Sequence, residues 1–384
     1  MRLRRRSARA SPRADPSTGL RRFRTTTAES GTISTPVTIQ AAITKVVEGS
    51  LLSRAEAEAA MAVIMAGEAS PAQIAGLVTA LRVRGETADE VAGFARAMRA
   101  TGVRIRPSAP LVADTCGTGG DGKGTLNIST GAALVVAGAG IVVAKHGNRA
   151  MSSKAGSADV LEALGVRVDA TPPVVERCLN EAGIGFCFAQ VFHPAMRHAG
   201  PPRRELGFRT IFNLLGPLTN PAGAQVQLIG VPQEHLIELE AKALAALGTR
   251  HAMVVHSRDG LDELTVTAPS RVVEVVGQTV KRSAVWDPRS LGFKRAPLSA
   301  LAGGSAADNA AALRALLAGK RGAYRDAVLL NAGVVCWLAG KAKSPKAGVA
   351  LAAQALDGGA AARALDRLVR LTTGPVPVGS TSGV

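Results

Sequence analysis

Residues 111–165 constrain the fold most. "LVAD" (111–114) reads as a short strand, a glycine-rich loop follows, and the small-residue run "TGAALVVAGAG" (130–140) reads as a helix. The same unit then repeats as the strand "IVVAK" (141–145), a polar loop, and a helix over 157–164 closed by Gly165. Strands that alternate with helices run parallel, because the chain must cross back over the sheet between them. Further strands are expected at "VRVDA" (166–170), "VQLIGV" (226–231), "HAMVVH" (251–256) and "RVVEVV" (271–276), and no internal repeat is evident.

Upstream of residue 105 the pattern is helical. Ser53-Arg54-Ala55-Glu56, Ser70-Pro71-Ala72-Gln73 and Thr87-Ala88-Asp89-Glu90 read as capping boxes, with Pro71 at a first helical position. Ile74, Leu77, Val78 and Leu81 recur at helical spacing. The chain is therefore expected to be α/β: a small N-terminal helical domain (39–104) and a larger α/β domain (105–372) with a mostly parallel central sheet. A segment near 192–207 is expected to rejoin the helical domain, and 373–384 to form a loose tail.

Charge is uneven. The 384 residues carry a net +17, but nine arginines against Asp15 and Glu29 place about +7 of it in residues 1–30. Residues 1–38 read as a disordered basic leader without the apolar segment of a secretory signal. The longest apolar run, Gly131 to Ala144, is too short to span a membrane. Four cysteines without CxxC spacing give no sign of a disulfide framework or a zinc site and favour a reducing compartment, the cytoplasm.

Four stretches concentrate chemistry. In "DTCGTGGDGKGTLNIST" (114–130), glycines let the backbone approach an anion, and Asn127, Ser129 and Thr130 open a helix whose free N–H groups favour a phosphate. The stretch is neither a Walker loop nor a dinucleotide fingerprint. In "KHGNRAMSS" (145–153) a cation and several donors occupy a second strand-to-helix loop, so one ligand with two phosphate groups fits both. In "HSRDGLDELT" (256–265), Asp262 and Glu263 are adjacent carboxylates suited to Mg²⁺. In the fourth, Arg203 and Arg204 precede an apolar element, and a guanidinium can clamp a carboxylate. Taken singly, each stretch also fits a glycine turn, a polar turn, a solvated acidic tip or a surface arginine pair.

Together these stretches resemble the anthranilate phosphoribosyltransferase family. "GTGGD" (117–121), "NIST" (127–130), "KHGNRAMSS" (145–153), "FNLLGPLTNP" (212–221) and "DGLDE" (259–263) occur in the family's order, as do "GG" (303–304), "DN" (308–309) and "LLNAG" (329–333). The resemblance covers roughly residues 39–372. It implies a fold of the nucleoside phosphorylase and phosphoribosyltransferase type, a homodimer, and transfer of phosphoribosyl from phosphoribosyl pyrophosphate to the amine of anthranilate. By motif, it places Gly117, Gly120, Asp121, Thr125, Asn127, Ile128, Ser129 and Thr130 against the donor. It adds Lys145, His146, Gly147, Asn148, Arg149, Ala150, Met151, Ser152, Ser153 and Ser157. It assigns Gly117, Asn148 and Arg203 to anthranilate, and Ser129, Asp262 and Glu263 to two Mg²⁺ ions. Lys145 and His146 are the candidates for a catalytic role, which is expected to be positioning and electrostatics without an acid or base. A pyrimidine-nucleoside phosphorylase of the same fold is the first alternative, disfavoured by "DGLDE". A non-catalytic nucleic-acid-binding relative is the second, disfavoured by the intact loops. No membrane or nucleic-acid partner is expected.

Overall fold

The computed structural model describes residues 38–150 and 154–374. The leader to residue 37, the tail from residue 375, and Met151, Ser152 and Ser153 lie outside the described residues.

Helices α1 (Ile39–Val47), α2 (Arg54–Ala66), α3 (Pro71–Arg84) and α4 (Ala88–Thr101) open the structure. All three capping boxes form: Ser53, Ser70 and Thr87 accept from the third helical amide, and Glu56, Gln73 and Glu90 return the bond. Glu90 is fully buried and does more. It accepts from the Leu52 amide at 2.9 Å and pairs with Arg84, tying the α1–α2 turn and the end of α3 to α4.

Strands β1 (Val112–Asp114), β2 (Val142–Gly147), β3 (Ile184–Phe188), β4 (Val226–Gly230), β5 (His251–Ser257), β6 (Ser270–Val276), β7 (Thr279–Val280) and β8 (Ala284–Trp286) form one sheet. Its order is β3-β2-β1-β4-β5-β6-β7, with β8 also on β6. The run from β3 to β5 is parallel, and β6, β7 and β8 join antiparallel. The chain works outward from β1 to β3 and then returns beside β1 as β4. Such a reversal opens a crevice at the carboxyl ends of the two central strands.

One strand expectation needs correction, and one strand of the parallel run was not expected. Residues 166–170 form a turn between α6 (Ser157–Ala163) and α7 (Pro172–Glu181), not a strand. Val166, Val168 and Ala170 are buried in the core, but no neighbouring strand is available to them. The strand that does form there, β3, comes later; it is "IGFCF", continuously buried and without alternation.

Alternation along the central strands sorts side chains to two layers. Val226, Leu228, Met253 and Val255 join the cluster that holds α5 (Ile128–Gly138) and the C-terminal helices. Ile229, Val231, Ala252 and Val254 join the cluster of α1–α4 and the helix Leu236–Leu247. Burying one such aliphatic side chain contributes about 1.5–3 kcal/mol relative to exposure, so the shared face seats the helical layer on the sheet. The small-residue helix α5 is buried nearly all round: a Cβ on Gly138 would lie 2.7 Å from the Ala361 amide nitrogen. Among the described residues no helix is long and apolar enough to cross a membrane.

Candidate active site

The loop from β1 to α5 is braced almost entirely from elsewhere in the chain. The Thr118 amide donates to Gly230 O at 2.9 Å, the Leu126 amide to Leu301 O at 2.9 Å, and the Gly303 amide to Gly124 O at 2.8 Å. Asn309 accepts from the Gly304 amide at 2.8 Å and donates to Asn127 Oδ1 at 2.8 Å. The GG and DN motifs thus hold the glycine loop in shape. Asn127 sits at the N-cap of α5 without capping it; its Nδ2 goes instead to Ala155 O at 3.2 Å. The orphan amide of Ser129 is satisfied by Glu263, whose Oε1 accepts it at 3.1 Å.

Two glycines make close approaches possible. Gly120 has φ +83°, and a Cβ there would overlap the Arg209 guanidinium. A Cβ on Gly230 would overlap the Asp262 carbonyl. Gly117 is adjacent: its Cβ position is 3.1 Å from Asp262 Oδ2.

Asp262 and Glu263 follow β5, and Asn331 anchors their loop. It accepts from the Leu264 amide at 3.2 Å and donates to Leu264 O at 2.6 Å. Burial pushes both carboxyl pKa values up; the charge of Asp121 pushes Asp262 further, and that of Asp262 pushes Glu263 further. Among the described residues neither carboxylate has an ion-pair partner, though Lys145 and Arg209 are near enough to pull the two values down. Two half-buried carboxylates beside a hydroxyl, short of counter-charge, suit an oxygen-preferring divalent cation. Among the described residues no three or more His, Cys, Asp or Glu side chains are arranged to hold a metal ion by themselves. Asp262, Glu263 and Ser129 would therefore offer part of a coordination shell, with water and ligand oxygens completing it.

The loop after β2 is organised differently. Lys145 is buried, with Nζ donating to Thr115 O at 3.3 Å. The His146 amide donates to Asp114 Oδ1 at 3.2 Å, and Asn220 Nδ2 donates to Asp114 Oδ2 and Ala144 O, both at 2.7 Å. Burial raises Asp114 to about 6, against the pull of Lys145. Burial lowers His146 to about 3, with His193 adding to the effect. The His146 ring is therefore neutral. Its Nδ1 lies 2.8 Å from Gly216 O and donates there, leaving Nε2 a buried acceptor without a partner. Beyond the strand, Asp159 Oδ2 accepts from the Ala150 amide at 2.9 Å and the Gly156 amide at 2.8 Å, folding the loop over the start of α6. The Arg149 guanidinium, expected at the donor, pairs with Asp159 at 3.0 Å and Glu162 at 2.7 Å. Asn148 is exposed; its carbonyl accepts from the Ser157 hydroxyl at 3.4 Å.

On the other side of the crevice, helix α8 (Gly200–Leu206) packs against α3. Arg203 is half-buried, with Cζ 5.3 Å from the Phe212 ring centroid, whereas Arg204 is exposed. Among the described residues Arg203 has no carboxylate partner, and burial and the Arg209 charge lower its pKa. Several positions gain importance only in three dimensions: Asp114, Asp159, Arg209, Asn309 and Asn331. The motifs "DN" and "LLNAG" flagged Asn309 and Asn331 without a role. Asp159 and Arg209 carried no signal of their own.

Two family models match the chain: the helical bundle domain of a glycosyl transferase family over residues 40–102, and the a/b domain of a glycosyl transferase family over 109–362. An anthranilate phosphoribosyltransferase of Moorella thermoacetica is 55% identical over 331 residues, 86% of this chain and 97% of the relative. The crystal structure of anthranilate phosphoribosyltransferase from Thermus thermophilus superposes with a TM-score of 0.83 at 50% identity, covering 87% of this chain and 99% of that one. The Saccharomyces cerevisiae enzyme in complex with PRPP and Mg superposes with a TM-score of 0.81 at 26% identity, covering 88% and 99%.

Proposed function

The chain belongs to the anthranilate phosphoribosyltransferases of the glycosyl transferase family, and on that premise we propose how its own residues carry the reaction. It is a transferase of tryptophan biosynthesis that moves phosphoribosyl from phosphoribosyl pyrophosphate to the amine of anthranilate and releases pyrophosphate. The observation that best supports the site is the bond from the Ser129 amide to Glu263, because it joins the glycine loop, the start of α5 and the acidic loop at one point.

Breaking the bond from C1 to pyrophosphate builds negative charge on the leaving group. Magnesium, when bound, supplies positive charge there; Asp262, Glu263 and Ser129 would hold it, and we assign two ions. Lys145 and the amides of the glycine loop add fixed positive potential without reorganising. Gly117, Gly120, Asp121, Thr125 and residues 127–130 line the donor from β1, and residues 145–150 with Ser157 line it from β2. In this reading the Arg149 backbone serves the donor, since its side chain is engaged by α6. Arg203 takes the anthranilate carboxylate, with Gly117 and Asn148 beside it. Neutral His146 keeps Nε2 as a hydrogen-bond acceptor for the attacking amine, whose proton passes to the departing pyrophosphate or to water once nitrogen bonds carbon. Catalysis is then positioning and electrostatics.

The test is a fluorescence assay of anthranilate consumption with phosphoribosyl pyrophosphate and Mg²⁺, coupled to pyrophosphate release. Turnover is expected, and Arg203→Ala should raise the anthranilate KM far more than the donor KM. Consumption of inorganic phosphate in place of pyrophosphate release would overturn the reading. We also propose a cytoplasmic homodimer. Free thiols at all four cysteines support the compartment, and exposed Val47, Leu51 and Val83 on or beside α1 and α3 support pairing through the helical layer. Sedimentation should give a dimer that Val83→Arg weakens; a monomeric wild type would refute it.

A further inference from the structure

Arg209 is held more firmly than a surface arginine needs to be. Gly207, with φ +66°, ends α8 in a left-handed cap, and the Thr210 amide donates to Asn213 Oδ1 at 3.0 Å as the next helix (Phe212–Leu218) begins. The two residues between, Phe208 and Arg209, are pinned at both ends, so the direction of Arg209 is set by the backbone. Its guanidinium reaches across to the glycine loop and packs where a β-carbon of Gly120 would be. Burial lowers its pKa and the charge of Asp262 raises it, so Asp262 is a neighbouring charge, yet no ion pair joins the two among the described residues. Nη2 is buried and has no hydrogen-bond partner. A buried donor on a charged group is costly to leave unmatched. It is well placed where a ligand brings the acceptor, and a guanidinium fork matches phosphate oxygens.

We propose that Arg209 is a donor-side binding residue whose free Nη2 takes an oxygen of the diphosphate held between the glycine loop and the Asp262–Glu263 pair. The position favours the diphosphate over the acceptor's carboxylate. Arg209 lies on Gly120 and beside Asp262, whereas Arg203 sits against Phe212. Two arginines thus divide two anions. Phosphate oxygens beside Asp262 need cations on both sides, and Arg209 provides one from the chain: it lies on Gly120, whereas Lys145 donates to Thr115 O. This inference rests on the reaction assigned above and is tested without turnover.

The full chain is titrated calorimetrically with pyrophosphate in excess Mg²⁺, alongside thermal melts. Arg209→Gln should bind pyrophosphate about tenfold or more weakly, the loss expected for one charged hydrogen bond, while its anthranilate KM stays within about twofold of wild type. Arg209→Lys should recover part of the affinity, because it keeps the charge and loses the fork. A folded Arg209→Gln with wild-type pyrophosphate affinity overturns the proposal, as does an anthranilate KM that rises instead. If Arg209→Gln does not fold, Arg209→Lys decides, and wild-type affinity there overturns it. Failure of the wild type to consume anthranilate would instead sink the assigned reaction, whatever the titration gives.

Discussion

The two anion-facing loops are built on opposite principles. The glycine loop after β1 is nearly all backbone and takes its shape from remote partners: Gly230, Glu263, Leu301, Gly303 and Asn309. The loop after β2 takes its shape from within, since Asp159 gathers the Ala150 and Gly156 amides and the Arg149 guanidinium a few residues away. Bare glycine backbone can bend to a ligand's contour but cannot hold a contour alone, so the rest of the domain must hold it. A loop with side chains can carry its own clamp. The first should therefore fail with the fold, and the second by itself.

The most severe way to break the contrast is to remove the acidic anchor. Asp262→Asn with Glu263→Gln should lower Mg²⁺-dependent turnover by roughly 10²–10³-fold or more, the scale for a group that stabilises developing charge. The melting temperature should be kept or raised, because two half-buried carboxylates that repel one another are gone. Turnover at the wild-type rate would remove these residues from the site. A milder break separates the loops. Asn309→Ala leaves Asn127 Oδ1 and the Gly304 amide unmatched and should cost about 1–3 kcal/mol of global stability. Asp159→Ala should instead speed hydrogen exchange at residues 150 and 156 with little change in melting. If both variants lower the melting temperature alike, the loops are not built differently.

The smallest effect concerns Asp114, which joins the loops by accepting from His146 and Asn220. Burial raises it from 3.8 to about 6. Between those values the folded state keeps a proton the unfolded chain has lost. Its contribution is therefore full below pH 3.8 and lost as pH rises through about 6. Asp114→Asn removes that slope, at most about 1.4 kcal/mol per pH unit. The variant should gain on wild type in melting temperature from about pH 4 to about pH 7; a constant difference would argue against a buried, titrating carboxyl.

Much of this was legible in the sequence where the cause is local. Capping boxes at Ser53, Ser70 and Thr87 need only four residues each and all form. The strand-to-loop-to-helix units were visible because glycine runs and apolar runs alternate sharply. Legibility ended where meaning depends on a neighbour. "VRVDA" alternates like a strand, but its valines face the core with nothing to pair. "IGFCF" is covered on both faces and so has no period to reveal it. In the site, Asp262 and Glu263 stood out as a pair, whereas the Ser129 amide that positions Glu263 is 134 residues away. Arg209 looked like any arginine until its guanidinium was found on Gly120.

The Asp262 carbonyl rests on the bare α-carbon of Gly230, so the acidic loop is registered to the sheet by main chain meeting main chain. Such a joint is indifferent to the identity of surrounding side chains. Residues on either side can be rewritten, by drift or by an engineer seeking a different acceptor amine, without moving the carboxylate. With the Asn331 side chain holding Leu264 on the far side, position 230 admits no such freedom. It behaves as a keystone: carrying no chemistry, it lets the chemistry around it diversify.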